Sequence, residues 1–156
     1  MTYSWKFLKR ALFSALFVFL SSCSPACHSW KCETIQAADS YAILYLSPKN
    51  DFQNIEIELQ KQRDGTCLYL SVYGIPLQTN AAGNIDVGLM INGETLTYRG
   101  YLLQGGHRIR LDSEAEAKLF EALCAHTPIT IRVGRYSTEI HYEKFDDALK
   151  NFNEVA

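Results

Sequence analysis

Apolar and polar positions change their spacing several times along this chain, and each change predicts an element. Residues 41–46 are apolar on both faces and read as a buried strand, closed by the turn cluster Ser47-Pro48-Lys49-Asn50-Asp51. From 54 to 60 the alternation is strict. Ile55, Ile57 and Leu59 point one way and Asn54, Glu56, Glu58 and Gln60 the other, which predicts a strand with one wet face. Asp64-Gly65 divides this run from a second at 66–73, and such a pair predicts a hairpin with a type I′ turn. Residues 74–84, with Pro76 and Asn80, have no period and read as a loop long enough to be functional. Asn92-Gly93 predicts another hairpin, between 85–91 and 95–103, with a bulge at Gly100. Gly105-Gly106 turns the chain once more, into 107–111.

At Asp112-Ser113 the period becomes helical. Ser113 and Glu116 match a capping box, and Ala115, Leu119, Phe120, Ala122 and Leu123 form an apolar stripe that ends near His126, before Pro128. Strands follow at 129–133 and 136–142 around the turn Gly134-Arg135. Phe145, Ala148, Leu149 and Phe152 then mark a last helix, with Asp146 and Asp147 where its dipole favours acid. The sum is an α+β domain at 41–156: a mostly antiparallel, hairpin-rich sheet of about eight strands, packed with an internal helix and a C-terminal helix. Frequent hairpins and strands with one polar face argue against a parallel sheet. The order of elements over 111–152 ends in a Phe-x-x-Ala-Leu helix. It is distantly similar to the C-terminal half of the invasion-associated locus B type family, as a pattern without a signature motif, and carries no function across.

The N-terminal segment has a different logic. Lys6, Lys9 and Arg10 precede the apolar run 11–20, and Leu20-Ser21-Ser22-Cys23 follows. Basic, apolar and small zones in that order make a secretory signal peptide, and the run is about half of the roughly 20 residues a membrane-spanning helix needs. Leu20 to Cys23 resembles the lipobox of bacterial lipoproteins. The resemblance implies cleavage of 1–22, acylation of Cys23 and a membrane anchor, since several acyl chains hold stably where one does not. Ser24 after the cysteine, rather than Asp, implies the outer membrane. An ordinary cleavage after Ala26 is the alternative. Residues 23–40, aperiodic and rich in small and polar types, read as a lipidated tether.

Composition narrows the class. The chain holds 15 Lys and Arg and 17 Asp and Glu, and residues 1–22 contain three of the basic ones and no acid, so the remainder carries 12 against 17, a net charge of −5. That disfavours a nucleic-acid partner. With Cys23 acylated, Cys27, Cys32, Cys67 and Cys124 remain, and an even number in an oxidising envelope suggests two disulfides. Three connectivities are open. The local one joins Cys27 to Cys32 and Cys67 to Cys124, and free buried thiols are the alternative. Cys27, His28 and Cys32 match neither zinc-finger nor c-type haem spacing, so no metal or cofactor is assigned.

The histidines His28, His107, His126 and His141 lie in no nucleophile motif, which leaves no catalytic residue to name, although triads formed only in space stay open. The notable constellation is cationic. Arg99, His107, Arg108 and Arg110 belong to one hairpin and Arg132 and Arg135 to another, a possible patch for an anionic partner, with Tyr98, Tyr101 and Tyr136 adding flat contact area. The bland alternative is solvated arginines paired with Glu94, Asp112 or Glu139, which contribute little. The function expected is therefore a membrane-anchored envelope lipoprotein with a non-enzymatic binding or structural role toward a protein or cell-wall partner. The alternatives are a periplasmic hydrolase using a histidine and a small inhibitor of an incoming hydrolase.

Overall fold

A computed structural model describes residues 29–37, 40–48, 55–74 and 76–155. The lipobox with Cys23, together with Cys27 and His28, lies outside them. The strands run β1 Trp30–Ala37, β2 Ser40–Leu46, β3 Ile55–Gln62, β4 Gly65–Val72, β5 Ile85–Ile91, β6 Glu94–Leu102 and β7 Arg108–Leu111. Helix α1 Ser113–Cys124, strands β8 Ile129–Val133 and β9 Tyr136–Glu139, and helix α2 Phe145–Glu154 complete the chain. All pairings are antiparallel, in one nine-stranded sheet ordered β1-β2-β3-β4-β7-β6-β5-β8-β9. The architecture is α+β and mostly sheet, with one internal and one C-terminal helix, as the periodicity predicts.

Strand β1 occupies part of the stretch whose composition reads as tether, so the folded sheet starts at Trp30. The reason is non-local. Trp30 is 2% exposed and packs edge-to-face on Phe145, ring centroids 5.0 Å apart. Its backbone N–H donates to the Glu143 carbonyl at 3.0 Å and its indole N–H to the His141 carbonyl at 2.8 Å. One corner of β1 is thereby tied to the chain beyond β9. The sheet curls back on itself, and β3 approaches β9 across the interior.

The alternating apolar residues fill that interior. Leu44, Ile57, Leu70, Val87, Leu89, Ile109 and Ile131 are all fully buried, joined by Phe145, Ala148 and Phe152 of α2. The last turn of α2 has no basic residue; Lys61 of β3 supplies the charge instead, donating from Nζ to the carbonyls of Asn153 and Val155.

Helix α1 plugs a gap in the sheet. Strand β7 is short and pairs only with Tyr69–Ser71 of β4 and with Gly100–Leu102 of β6. In the space beyond it, the Glu116 carboxylate accepts the Leu68 backbone N–H at 2.9 Å, where a strand carbonyl would otherwise sit. The capping box is therefore not formed. Asp112 is the N-cap and its Oδ1 accepts from the Ala115 N–H at 2.9 Å, because Glu116 is drawn to the unpaired edge of β4. Ala115, Leu119, Ala122 and Leu123 are buried, but Phe120, expected in the stripe, is 39% exposed.

One turn reading holds and another changes. Asn92-Gly93 is a type I′ turn, with φ of 52° and 83°. At the β3–β4 turn Gln62 pairs with Gly65, so the loop is Arg63-Asp64, and among the pair Asp64-Gly65 only the glycine has positive φ. Gly100 is no bulge, since its pairing on both sides is regular. It faces the interior, where a Cβ would stand 2.4 Å from Ile109 Cγ2.

The expected Cys67–Cys124 disulfide is absent: Cys32, Cys67 and Cys124 are free. Cys67 sits on the outer face opposite Gln60, with its Sγ 3.6 Å from Gln62 Oε1. Cys124 ends α1, two turns or roughly 12 Å beyond the Glu116 that touches β4. A disulfide requires Cα atoms within about 7 Å. The proposed partner of Cys32, Cys27, lies outside the described residues.

Candidate functional site

Strand alternation decides which arginines share a face. On β7, Ile109 and Leu111 are buried, so Arg108 and Arg110 face outward. On β6, Gly100 is buried and Arg99 and Tyr101 are exposed; on β8, Ile131 and Val133 are buried and Arg132 is exposed. Register then groups them. Tyr69, Arg110 and Tyr101 lie in one cross-strand row. Arg99 is two residues from Tyr101 on the same strand face. Arg132 stands opposite Gly88, which stands opposite Thr97, so only a glycine separates Arg132 from the β6 residues.

Arg108 behaves differently from its neighbours. Its guanidinium lies over the Tyr69 ring, 4.1 Å from the centroid, and its Nη2 is 2.6 Å from Glu58 Oε2. Ser71 Oγ donates to Glu58 Oε1 at 3.2 Å, and Gln60 Nε2 donates to Glu58 Oε2 at 3.3 Å. Tyr69 and Ser71 are 8% and 7% exposed although both point outward. Arg108 is thus held in a half-buried clamp with its Nε buried and unpartnered. Nearby, the Tyr73 hydroxyl donates to Glu56 Oε1 at 3.0 Å. Burial pushes the Tyr73 phenol up to about 12, with Glu56 adding to it. Burial also raises the Glu56 carboxyl, against the Tyr73 hydrogen bond that lowers it.

Arg99, Arg110 and Arg132 make no ion pair or hydrogen bond through their side chains among the described residues. Asp112 and Glu114 line a surface pocket with Arg99 and Tyr101, yet the nearby acids make no ion pair with the three arginines among the described residues. Asp112 caps α1, and Glu139 pairs with Thr130 in the next row. Asp86, opposite Arg99, accepts from Asn80 Nδ2 at 3.0 Å. Tyr101, between the free arginines, is 50% exposed.

His107 and Arg135 do not join this face. His107 is on the inward parity of β7; its carbonyl accepts from the Val72 N–H, and its Nδ1 is 3.2 Å from the Val72 carbonyl. Arg135, on the β8–β9 turn, lies 5.3 Å from the Tyr136 ring centroid and donates from Nη2 to the Tyr136 hydroxyl at 3.3 Å. There it helps line a cavity of about 610 Å³ walled by loop 76–84.

The remaining titratable cluster does not make a nucleophile. His126 Nε2 is 3.0 Å from Asp146 Oδ1 and Cys124 is close by. Burial first, then the Asp146 charge, raise the Cys124 thiol, the reverse of what an attacking thiolate needs. His141 is exposed and contributes its carbonyl to Trp30. Among the described residues no three His, Cys, Asp or Glu side chains gather as metal ligands, and no helix is long and apolar enough to cross a membrane.

The Glu58–Tyr69–Ser71–Arg108 clamp is the part that the sequence did not single out. Its signal was present in the hairpin register, which sets Glu58 against Tyr69 and Glu56 against Ser71 on the wet face. What was missing was β7 lying next to β4. No family model, no curated protein and no solved structure matches the chain.

Proposed function

We propose that this domain is a non-enzymatic binding module of the cell envelope, anchored by an acylated Cys23, that presents Arg99, Arg110 and Arg132 to an anionic partner. The observation that carries the reading is that these three exposed arginines, on one sheet face of a net acidic chain, make no side-chain ion pair or hydrogen bond among the described residues. Guanidinium forks engage carboxylates and phosphates in pairs of parallel hydrogen bonds. Tyrosine and arginine are also the residues that binding surfaces concentrate. Tyr101 supplies the flat area between two of the forks, and the clamp below holds Arg108 and Tyr69 as a rigid base.

The test is crosslinking in intact cells followed by recovery of the protein from membranes. One dominant anionic partner is expected, and the triple reversal Arg99→Glu, Arg110→Glu, Arg132→Glu abolishes its recovery. Recovery unchanged by the reversal removes the arginine face from the function. The intact mass of the extracted protein checks the anchor: residues 23–156 plus acyl groups are expected, and a chain starting elsewhere without lipid overturns it.

A further inference from the structure

The cavity of about 610 Å³ lies between loop 76–84 and the β8–β9 turn. Its size is within the usual range of small-ligand sites, roughly 300–1,000 Å³. One wall is a loop held by the Asn80 side chain together with backbone hydrogen bonds. Asn80 Oδ1 accepts from the backbone N–H groups of Ala82 at 3.0 Å and Asn84 at 3.1 Å, and Asn80 Nδ2 donates to Asp86 at 3.0 Å. The Asn80 backbone N–H donates to the Asn84 carbonyl at 2.7 Å, and its carbonyl accepts from Gly83 at 2.9 Å. At the start of the loop, the Leu77 N–H donates to the Gly106 carbonyl at 3.0 Å. The wall is preorganised, so a ligand does not have to order it.

The lining defines the ligand chemistry. Leu77, Ile85 and Val133 supply apolar surface. Around it stand Gln78, Thr79 and Asn84, whose side chains have no hydrogen-bond partner among the described residues. Amides and hydroxyls both donate and accept, as the vicinal hydroxyls of a sugar do. A wholly apolar ligand would strand these groups, which is costly. Opposite them, Tyr136 with Arg135 stacked on its ring gives a flat surface for the C–H face of a pyranose. The cavity also adjoins the arginine face. Asp86 on its rim is directly opposite Arg99, and Gly134 on its other rim is two residues from Arg132.

We infer that this cavity is a saccharide site and that the anionic partner is an acidic glycan, one ring held between Asn84 and Tyr136 and acidic groups of adjoining rings on Arg99 and Arg132. The inference rests on the anionic reading of the arginine face and names the class of polymer. It differs from a protein or lipid partner in requiring that a free oligosaccharide bind in the cavity.

The full chain in detergent is titrated calorimetrically with two probes, a neutral N-acetylglucosamine trimer and an acidic oligosaccharide alternating glucuronate with N-acetylglucosamine. Both are expected to bind, the acidic one about tenfold tighter. Gln78→Ala with Asn84→Ala weakens both by about tenfold, and Arg135→Ala is a second cavity variant with the same expectation. Neither variant removes a backbone contact of the loop, and an unchanged melting temperature confirms that each folds. Arg99→Glu with Arg132→Glu removes only the acidic advantage. Acidic binding that ignores both cavity variants overturns the saccharide site while leaving the anionic reading standing. Binding of neither probe overturns the glycan inference, and the crosslinked partner then decides the anionic reading alone. Neutral binding that survives the arginine reversal, with no acidic preference, keeps the cavity but sinks the acidic glycan.

Discussion

Replacing Gly100 with alanine probes how tightly the curled sheet is packed. The new Cβ would stand 2.4 Å from Ile109 Cγ2 and 3.2 Å from Val87 Cγ2. Carbon pairs prefer about 3.5–4.0 Å, so the first contact must open by more than about 1 Å. Neither neighbour has room to swing, since Ile109 and Val87 are both 0% exposed. Overpacking of this kind costs about 1–3 kcal/mol, while exchanging a strand glycine for alanine returns about 0.5–1 kcal/mol. The net is a loss of about 1–2 kcal/mol, or a melting temperature lower by about 3–8 °C for a domain of this size. Gly88→Ala is the matched control on the adjacent strand. Its Cβ would meet Arg132 Cβ at 3.5 Å, an ordinary contact on the outer face, so stability is unchanged or slightly raised. Thermal and urea unfolding of both variants decide the matter. Equal stability of Gly100→Ala and the parent protein, or an equal loss in Gly88→Ala, refutes the inward placement of Gly100 and the regular pairing around it.

Glu116→Ala leaves the Leu68 N–H without its acceptor and is expected to lose about 1–3 kcal/mol, with Glu116→Gln losing less because an acceptor remains. Asp112→Ala loses about 1 kcal/mol and Ser113→Ala almost nothing; the opposite ranking in urea unfolding would restore the capping box. Glu56 is raised by burial, so the folded state holds its proton longer than the unfolded chain does. Stability therefore falls as pH climbs from about the ordinary value of 4.5, and Glu56→Gln flattens that decline in a pH series of melting curves. The same substitution removes one of the causes that raise Tyr73, whose phenol is expected to titrate earlier than about 12 in a tyrosinate absorbance titration. An unmoved Tyr73 shows that burial alone sets it.

The legible part of this fold was its local alternation. Ile55, Ile57 and Leu59 announced the buried side of β3, and Asn92-Gly93 announced its own turn, because both signals are complete within a few residues. Strand β1 was not legible. Lys31, Glu33 and Thr34 give it a polar composition, and it is a strand because Trp30 finds Phe145 and the carbonyls of His141 and Glu143, over a hundred positions away. Phe120 and Glu116 were misplaced for a related reason. Helical spacing locates a stripe, but the gap between β4 and β6 sets how α1 is rotated within it. The arginine face was half legible: parity separates Arg108 and Arg110 from His107, whereas the loss of Arg108 to Glu58 depends on β4 and β7 being neighbours.

The contrast between Arg108 and the other arginines bears on what the face is for. Pairing an exposed arginine with a nearby acid contributes little by itself, and β3 makes such a pair only where it is half-buried. Glu58 is spent on Arg108, where aromatic stacking and two further hydrogen bonds turn the pair into part of the scaffold. Asp86, the acid placed across from Arg99, hydrogen-bonds Asn80 of the loop rather than the arginine, and keeps its charge. Arg99, Arg110 and Arg132 make no ion pair among the described residues. Strand β5 stands between Arg132 on β8 and Arg99 on β6, which spaces those two charges by roughly 10 Å, beyond the Debye length of about 8 Å at physiological salt, so they repel only modestly. The anionic partner proposed above would, by covering the three arginines, exclude the screening water and strengthen each contact it makes with them.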